Sequence, residues 1–185
     1  MQIVCSMLNL QMRNFNDQQI QEAFKISLGR LRTMALVHEE LYQQKLFTAI
    51  DFNDYIARLV EYLKKIYSEL ENRIKTKLAI DKFYLDLTKA IPCALILNEL
   101  LANCVKHAFP PEKRPKGLIE ISMKKKENGK HELIIIDDGI GFQEKVDLEK
   151  TSSLGLRIIH NLVQQLEGEI KIDSGPQGTK VFISF

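Results

Sequence analysis

Three short stretches hold residue types that could do chemistry. The first is Asn98-Glu99-Leu100-Leu101-Ala102-Asn103-Cys104-Val105-Lys106-His107. In a helix, Glu99, Asn103 and Lys106 or His107 fall on one face, at steps of four and then three or four. That face offers a carboxylate, an amide and a cation in line, with Leu95, Ile96, Leu100 and Val105 behind it. An amide oxygen can join an Mg²⁺ shell, and a lysine can meet phosphate oxygens. A solvated polar stripe would look the same, because surface helices carry one by default.

The second stretch is Asp137-Asp138-Gly139-Ile140-Gly141, directly after the most apolar strand. A strand that leaves the core into two glycines brings backbone close to a ligand without Cβ obstruction. Asp137 would be the last strand residue, at a pocket edge, where a carboxylate can accept from an exocyclic amine such as adenine N6. An Asp-Gly hairpin turn is the alternative, and the long segment Phe142 to Ser153 argues against it. The third stretch is Ser152-Ser153-Leu154-Gly155-Leu156-Arg157. Small residues at a helix N-terminus offer N–H groups and the helix dipole to a phosphate, or simply a serine cap.

The elements that must position these residues follow from periodicity. Residues 1 to about 45 read as a helical hairpin. Met1, Val4, Leu8 and Met12 recur at helical spacing, and so do Ile20, Phe24, Leu28, Leu31, Ala35, His38 and Leu41. Asn14 to Asp17 can cap the second helix. Both helices are apolar on more than one face, which suits pairing with a second copy into a four-helix bundle. A helix over Asp51 to about Leu70 comes next, then strands at Lys75 to Asp81 and along Phe83, Leu85 and Leu87. Thr88 to Ala108 is a helix with Pro92 inside its first turn, ended by Phe109-Pro110-Pro111. Leu118 to Lys125 and His131 to Asp137 form a hairpin through Asn128-Gly129. The unbroken Leu133-Ile134-Ile135-Ile136 run marks a central strand. A helix at Leu154 to Glu167 precedes strands at Gly168 to Ser174 and Thr179 to Phe185. The expected fold is α+β, a two-layer sandwich with helices on one face of a mixed sheet. The expected division is a hairpin at 1–48 and a catalytic domain at 49–185, with the boundary at the Phe47 to Asp51 turn.

Composition supports a packed core, with 45% hydrophobic and 27% charged residues among 185. A net charge of +2 gives no reason to expect nucleic acid or an anionic membrane. Lys113 to Lys116 and Lys124 to Lys126 read as solvated loop and strand ends. Cys5, Cys93 and Cys104 lie in apolar runs, as buried reduced thiols of a cytoplasmic protein would. The four histidines, His38, His107, His131 and His160, have no zinc spacing. No apolar run reaches the length of a membrane span, and Gln2 and Asn9 interrupt the N-terminal run, unlike a secretory signal.

Taken in order, NELLAN, DDGIG, SLGLRII and a closing GTK strand resemble the GHKL ATPase superfamily of gyrase, Hsp90, MutL and histidine kinases, over roughly residues 75 to 185. The resemblance implies the Bergerat ATP-binding fold, with ATP and Mg²⁺ as ligands. It implies that Asn103 ligates Mg²⁺ and that Asp137 binds the adenine amine. Gly139 and Gly141 would shape the base pocket, Thr179 would line it, and Ser153, Leu154, Gly155 and Leu156 would hold phosphates. Lys106 and His107 would be phosphate- or ribose-side contacts, and Glu99 would orient water or polarise the acceptor.

The N-terminal MQIVCSMLNLQ and LGRLRTMALVHEELYQ resemble the dimerisation and phosphoacceptor hairpin of the HWE or HisKA-2-like sensor histidine kinases. This implies a homodimer, and transfer of the ATP γ-phosphate to a histidine and onward to a response regulator. In that subgroup the acceptor precedes the stretch matching MQIVCSMLNLQ. The first helix also starts without a cap, so the acceptor is expected upstream of this chain, in a longer protein that could be membrane-anchored. His38 lies on the second helix, where the pattern places packing rather than an acceptor. Two other functions fit the same motifs: a serine kinase or anti-sigma-type regulator, and a nucleotide-binding dimerisation module without phosphotransfer.

Overall fold

The computed structural model describes residues 2–185 apart from 13, 16, 44–49, 67–72, 83, 143–146 and 149, and side chains at 2–5, 9, 18–19, 22, 25, 36–43, 50 and 64–66 also lie outside the description. Two helices come first, α1 (Gln2–Met12) and α2 (Gln18–Gln43). The polar break between them acts as read: Asp17 Oδ1 accepts from the Ile20 N–H at 3.3 Å, the spacing of an N-cap. A short β1 (Ile50–Asp51) leads into α3 (Phe52–Ile66). Then follow β2 (Ile74–Ile80), β3 (Tyr84–Leu85), α4 (Leu87–Asn103), β4 (Gly117–Lys125) and β5 (His131–Asp137). The chain ends with α5 (Leu154–Gln165), β6 (Glu169–Gly175) and β7 (Gly178–Ser184).

Five strands form one mixed sheet in the order β2-β4-β5-β7-β6, parallel only between β2 and β4. β1 and β3 form a separate two-stranded ribbon. The fold is therefore the expected two-layer α+β sandwich. Ile119, Ile121, Ile135, Val181 and Ile183 point from the sheet into a core shared with Phe52 and Ile56 of α3, Leu97 of α4 and Ile159 of α5. Burying each such side chain contributes about 1.5–3 kcal/mol, so this face holds the layers together.

Several local expectations change. The run Phe83 to Leu87 is not one strand: β3 is Tyr84–Leu85, and Leu87 already starts α4. Asp86 caps that helix, its Oδ1 accepting from the Lys89 N–H at 3.1 Å. Starting there, α4 puts Pro92 in its second turn rather than its first. The Leu133–Ile136 run does occupy the middle strand. It is covered on one side only, because burial alternates along β5 and leaves Ile134 and Ile136 half-exposed. A central position needs pairing on both edges, not cover on both faces. The expected boundary at Phe47 to Asp51 falls partly outside the described residues, and its described end is β1.

Leu87–Ala108 is the one helix among the described residues long and apolar enough to cross a membrane, yet 78% of that window is buried inside the fold. It is a core helix, and α2 packs along it. The same α2 reaches α3, where the Arg32 guanidinium lies 5.9 Å from the Tyr62 ring centre.

Candidate nucleotide site

The α4 backbone changes pitch just after Asn103. Residues Cys104–Ala108 form a π-helical turn, a wider coil that is common where a helix serves a site. Its end is fastened to the loop after β5: the Ile140 N–H donates to the Ala108 carbonyl at 2.9 Å. This close approach is why Gly139 has no side chain, since a Cβ there would sit 2.5 Å from the Ala108 Cβ. Gly141 has φ +66°, and a Cβ on it would lie 2.1 Å from the Gly175 carbonyl oxygen. Only glycine meets both demands cheaply.

Between the π turn, the sheet and α5 lies a pocket with about 560 Å³ of empty space, counting its open mouth. Its walls are apolar: Leu100, Ile135, Leu156, Ile172 and Val181. Such walls fit a flat ring, and the few polar groups set its orientation. Those polar groups are Asn103, His107, Asp137 and Thr179.

Asp137 is the last residue of β5, as read, and is 6% exposed. Its two oxygens differ. Oδ1 accepts from the Gly139 N–H at 3.0 Å and from the Thr179 N–H at 3.2 Å. Among the described residues, Oδ2 has only the Cys104 thiol, at 3.5 Å. One oxygen thus anchors the loop, and the other retains capacity for a stronger donor. Burial holds the Asp137 carboxyl above its ordinary range, while the bonds from Gly139, Cys104 and Thr179 pull it back down. Asp138 turns the other way and accepts from the Leu118 N–H at 2.7 Å. Thr179 is also tied, its hydroxyl 2.9 Å from the Ser174 Oγ.

The residues expected to meet phosphate come together only in part. Gly155 lies in the first turn of α5, where a Cβ would be 3.1 Å from Glu99 Oε2 and 3.9 Å from Asn103 Oδ1. Ser153 precedes the helix without a side-chain cap bond, so the serine-cap reading fails there and the first N–H groups of α5 keep no side-chain acceptor from it. Ser153 and Leu154 are exposed, Lys106 is half-buried, and none of the three lines the pocket. His107 does line it, with burial and then Lys106 lowering its pKa.

Glu99 departs most from the sequence reading. A solvated polar stripe is ruled out, because Glu99 and Asn98 are each 3% exposed. Arg30 of α2 grips Glu99 with two hydrogen bonds, Nε to Oε1 at 2.7 Å and an Nη to Oε2 at 2.9 Å. Sequence inspection missed Arg30, which sits in an unremarkable helical stretch, and Cys104, which read as a core thiol. Phe142 at the pocket mouth was likewise missed. The His38 side chain lies outside the described residues.

Among the described residues, no group of three His, Cys, Asp or Glu side chains could hold a metal alone. A single amide oxygen such as Asn103 Oδ1 suits a different case. It can complete the shell of a small cation that arrives with phosphate and water ligands already bound.

The chain belongs to the histidine kinase-, DNA gyrase B- and HSP90-like ATPase family, which it matches over residues 88–185, more than half its length. Residues 1–67 match a histidine kinase family as well. The chain is 28% identical over 185 residues to the sensor histidine kinase PdtaS of Mycobacterium tuberculosis, covering 99% of this chain and 36% of that protein. It is 28% identical over 159 residues to blue-light-activated histidine kinase 2 of Erythrobacter litoralis, covering 83% of this chain and 44% of that one. The chain therefore spans less than half the length of these curated relatives. Its fold is that of the histidine kinase domain of the Erythrobacter litoralis EL346 blue-light activated histidine kinase, with a TM-score of 0.78 at 22% identity, over 100% of this chain and 95% of that one. The resemblance to sensor histidine kinases thus holds across both the hairpin and the sandwich.

Proposed function

We propose that this chain binds ATP–Mg²⁺ as the catalytic region of a sensor histidine kinase, with residues 49–185 as the nucleotide domain and 1–48 as the hairpin. The observation that carries the reading is Asp137 Oδ2, a buried carboxylate oxygen at an apolar slot whose one hydrogen-bond partner among the described residues is a thiol. An exocyclic amine is a far stronger donor than a thiol, so an aminopurine ring is the natural occupant. Thr179 and Gly141 bound that ring, and Gly139 lets Ala108 close behind it.

The phosphates would extend towards Asn103 and the N-terminus of α5. There the Leu154, Gly155 and Leu156 N–H groups and the helix dipole favour negative charge. Asn103 supplies one oxygen to Mg²⁺, and the cation neutralises charge on the transferred phosphoryl group. Ser153, Lys106 and His107 would meet phosphate or ribose once the nucleotide is seated. Arg30 engages both oxygens of Glu99, so for Glu99 to orient an acceptor that pair would have to open.

In the full-length parent, the γ-phosphate would pass to a histidine and then to a response regulator, with two hairpins paired as a homodimer. α1 presents Met7 and Leu10 to solvent, 59% and 64% exposed, and Ile20 of α2 is 38% exposed. Such an apolar stripe suits a partner helix. Titration calorimetry with ATP, with and without Mg²⁺, tests the nucleotide reading. Micromolar-range binding that needs Mg²⁺ is the expected result. No heat with any adenine nucleotide would end it.

A further inference from the structure

We propose that Arg30, on the hairpin, is a positioning residue for the phosphate end of the nucleotide site: it holds and neutralises Glu99, so docking of the hairpin strengthens binding of the triphosphate. The inference rests on the nucleotide reading above and extends it to a residue in another part of the chain.

The geometry is a three-way junction. Glu99 sits one helical turn before Asn103 on α4. Its Oε2 lies 3.1 Å from where a Gly155 Cβ would be, directly beside the first turn of α5. Both of its oxygens are taken by the Arg30 guanidinium, 69 residues away in sequence, in a two-pronged pair whose carboxylate side chain is 4% exposed. The neighbouring residues pack just as closely, with Asn98 Oδ1 3.7 Å from the Cβ position of Gly29.

A buried carboxylate next to a helix N-terminus competes with any phosphate for the same field, and it repels that phosphate. The forked guanidinium removes both effects. It cancels the charge, and it occupies both carboxylate oxygens. Since Arg30 belongs to α2, the compensation is present only while the hairpin lies against α4. Hairpin position and phosphate affinity are therefore coupled through one ion pair, and any signal that shifts α2 alters the phosphate end of the site without touching the base pocket.

Repulsion from a freed Glu99 grows with the number of phosphates, and this separates positioning from general loss of structure. The test is calorimetry on the full chain in Mg²⁺ buffer, with ATP, ADP and adenosine as probes. Arg30→Gln should weaken ATP by about tenfold, ADP by less, and adenosine within about twofold, the size expected for one uncompensated charge acting on the phosphates at an effective dielectric of about 20. Arg30→Lys keeps the charge and should recover most ATP affinity. Arg30→Gln with Glu99→Gln should bring ATP back to within about threefold of wild type. Equal losses for all three probes, or none, would overturn the inference while leaving the nucleotide reading intact. A wild-type chain that binds none of the probes overturns both.

Discussion

Replacing Asp137 by asparagine separates the shape of the pocket floor from its charge. The asparagine oxygen can keep the bonds that Oδ1 now accepts from the Gly139 and Thr179 N–H groups, at 3.0 and 3.2 Å. Its NH₂ then replaces Oδ2, so a donor meets the donor of the incoming amine. A hydrogen bond to a charged group contributes about 1.5–3 kcal/mol. ATP affinity should therefore fall by roughly ten- to a hundredfold or slightly more. Stability should not fall with it. Burial raises the folded-state pKa of Asp137 above its ordinary 3.8. The folded chain then holds that proton more tightly than the unfolded chain, so stability declines as pH rises through the window between the two values. Above the folded pKa the ionised carboxylate is a cost, and the asparagine does not carry it. At about pH 7 the variant should melt at or above the wild-type temperature, and the gap should close as pH drops towards about 4. Calorimetric titration with ATP–Mg²⁺ and thermal melting on the same samples read both effects. Unchanged affinity would remove Asp137 from base recognition. A melting point several degrees lower would show that its charge is needed by the fold.

Three further outcomes are expected. Asn103→Ala should abolish the Mg²⁺-dependent part of ATP binding while leaving adenosine affinity within about twofold, as titrations with and without Mg²⁺ would show. Gly141→Ala should cost about 1–3 kcal/mol in urea unfolding, because its φ of +66° and the Gly175 carbonyl 2.1 Å from the added Cβ leave no relaxed position. Cys93 and Cys104 should resist iodoacetamide at neutral pH in the folded chain, since burial pushes both thiols up, and react once urea unfolds it; peptide mass mapping reads each site.

Much of the fold was legible because its signals are local. The Asn14–Asp17 break, the Asn128-Gly129 turn and the apolar run of β5 each depend on a few neighbouring residues. Errors arose where two local rules compete. Leu85 and Leu87 alternate like a strand, yet Asp86 between them is a good helix cap, and the cap won. The chemistry-bearing motifs were visible by type and order, and their placement followed: Asn103, His107, Asp137, Gly141, Leu156 and Thr179 all reach one pocket. Ser153 and Leu154 do not line it: they are the cap position and first residue of α5, and both side chains are exposed.

By itself the sequence determined the family, the sandwich and the identity of the carboxylate at the end of the central strand. These rest on periodicity and on motifs read within a dozen residues. Only the tertiary structure decided which oxygen of Asp137 stays available, because Oδ1 is claimed by two N–H groups from separate segments. It also decided that Glu99 is buried and bound to Arg30. Helical spacing can put Glu99 on a face. It cannot say what covers that face, because the covering residue lies 69 positions away and is brought there by packing alone.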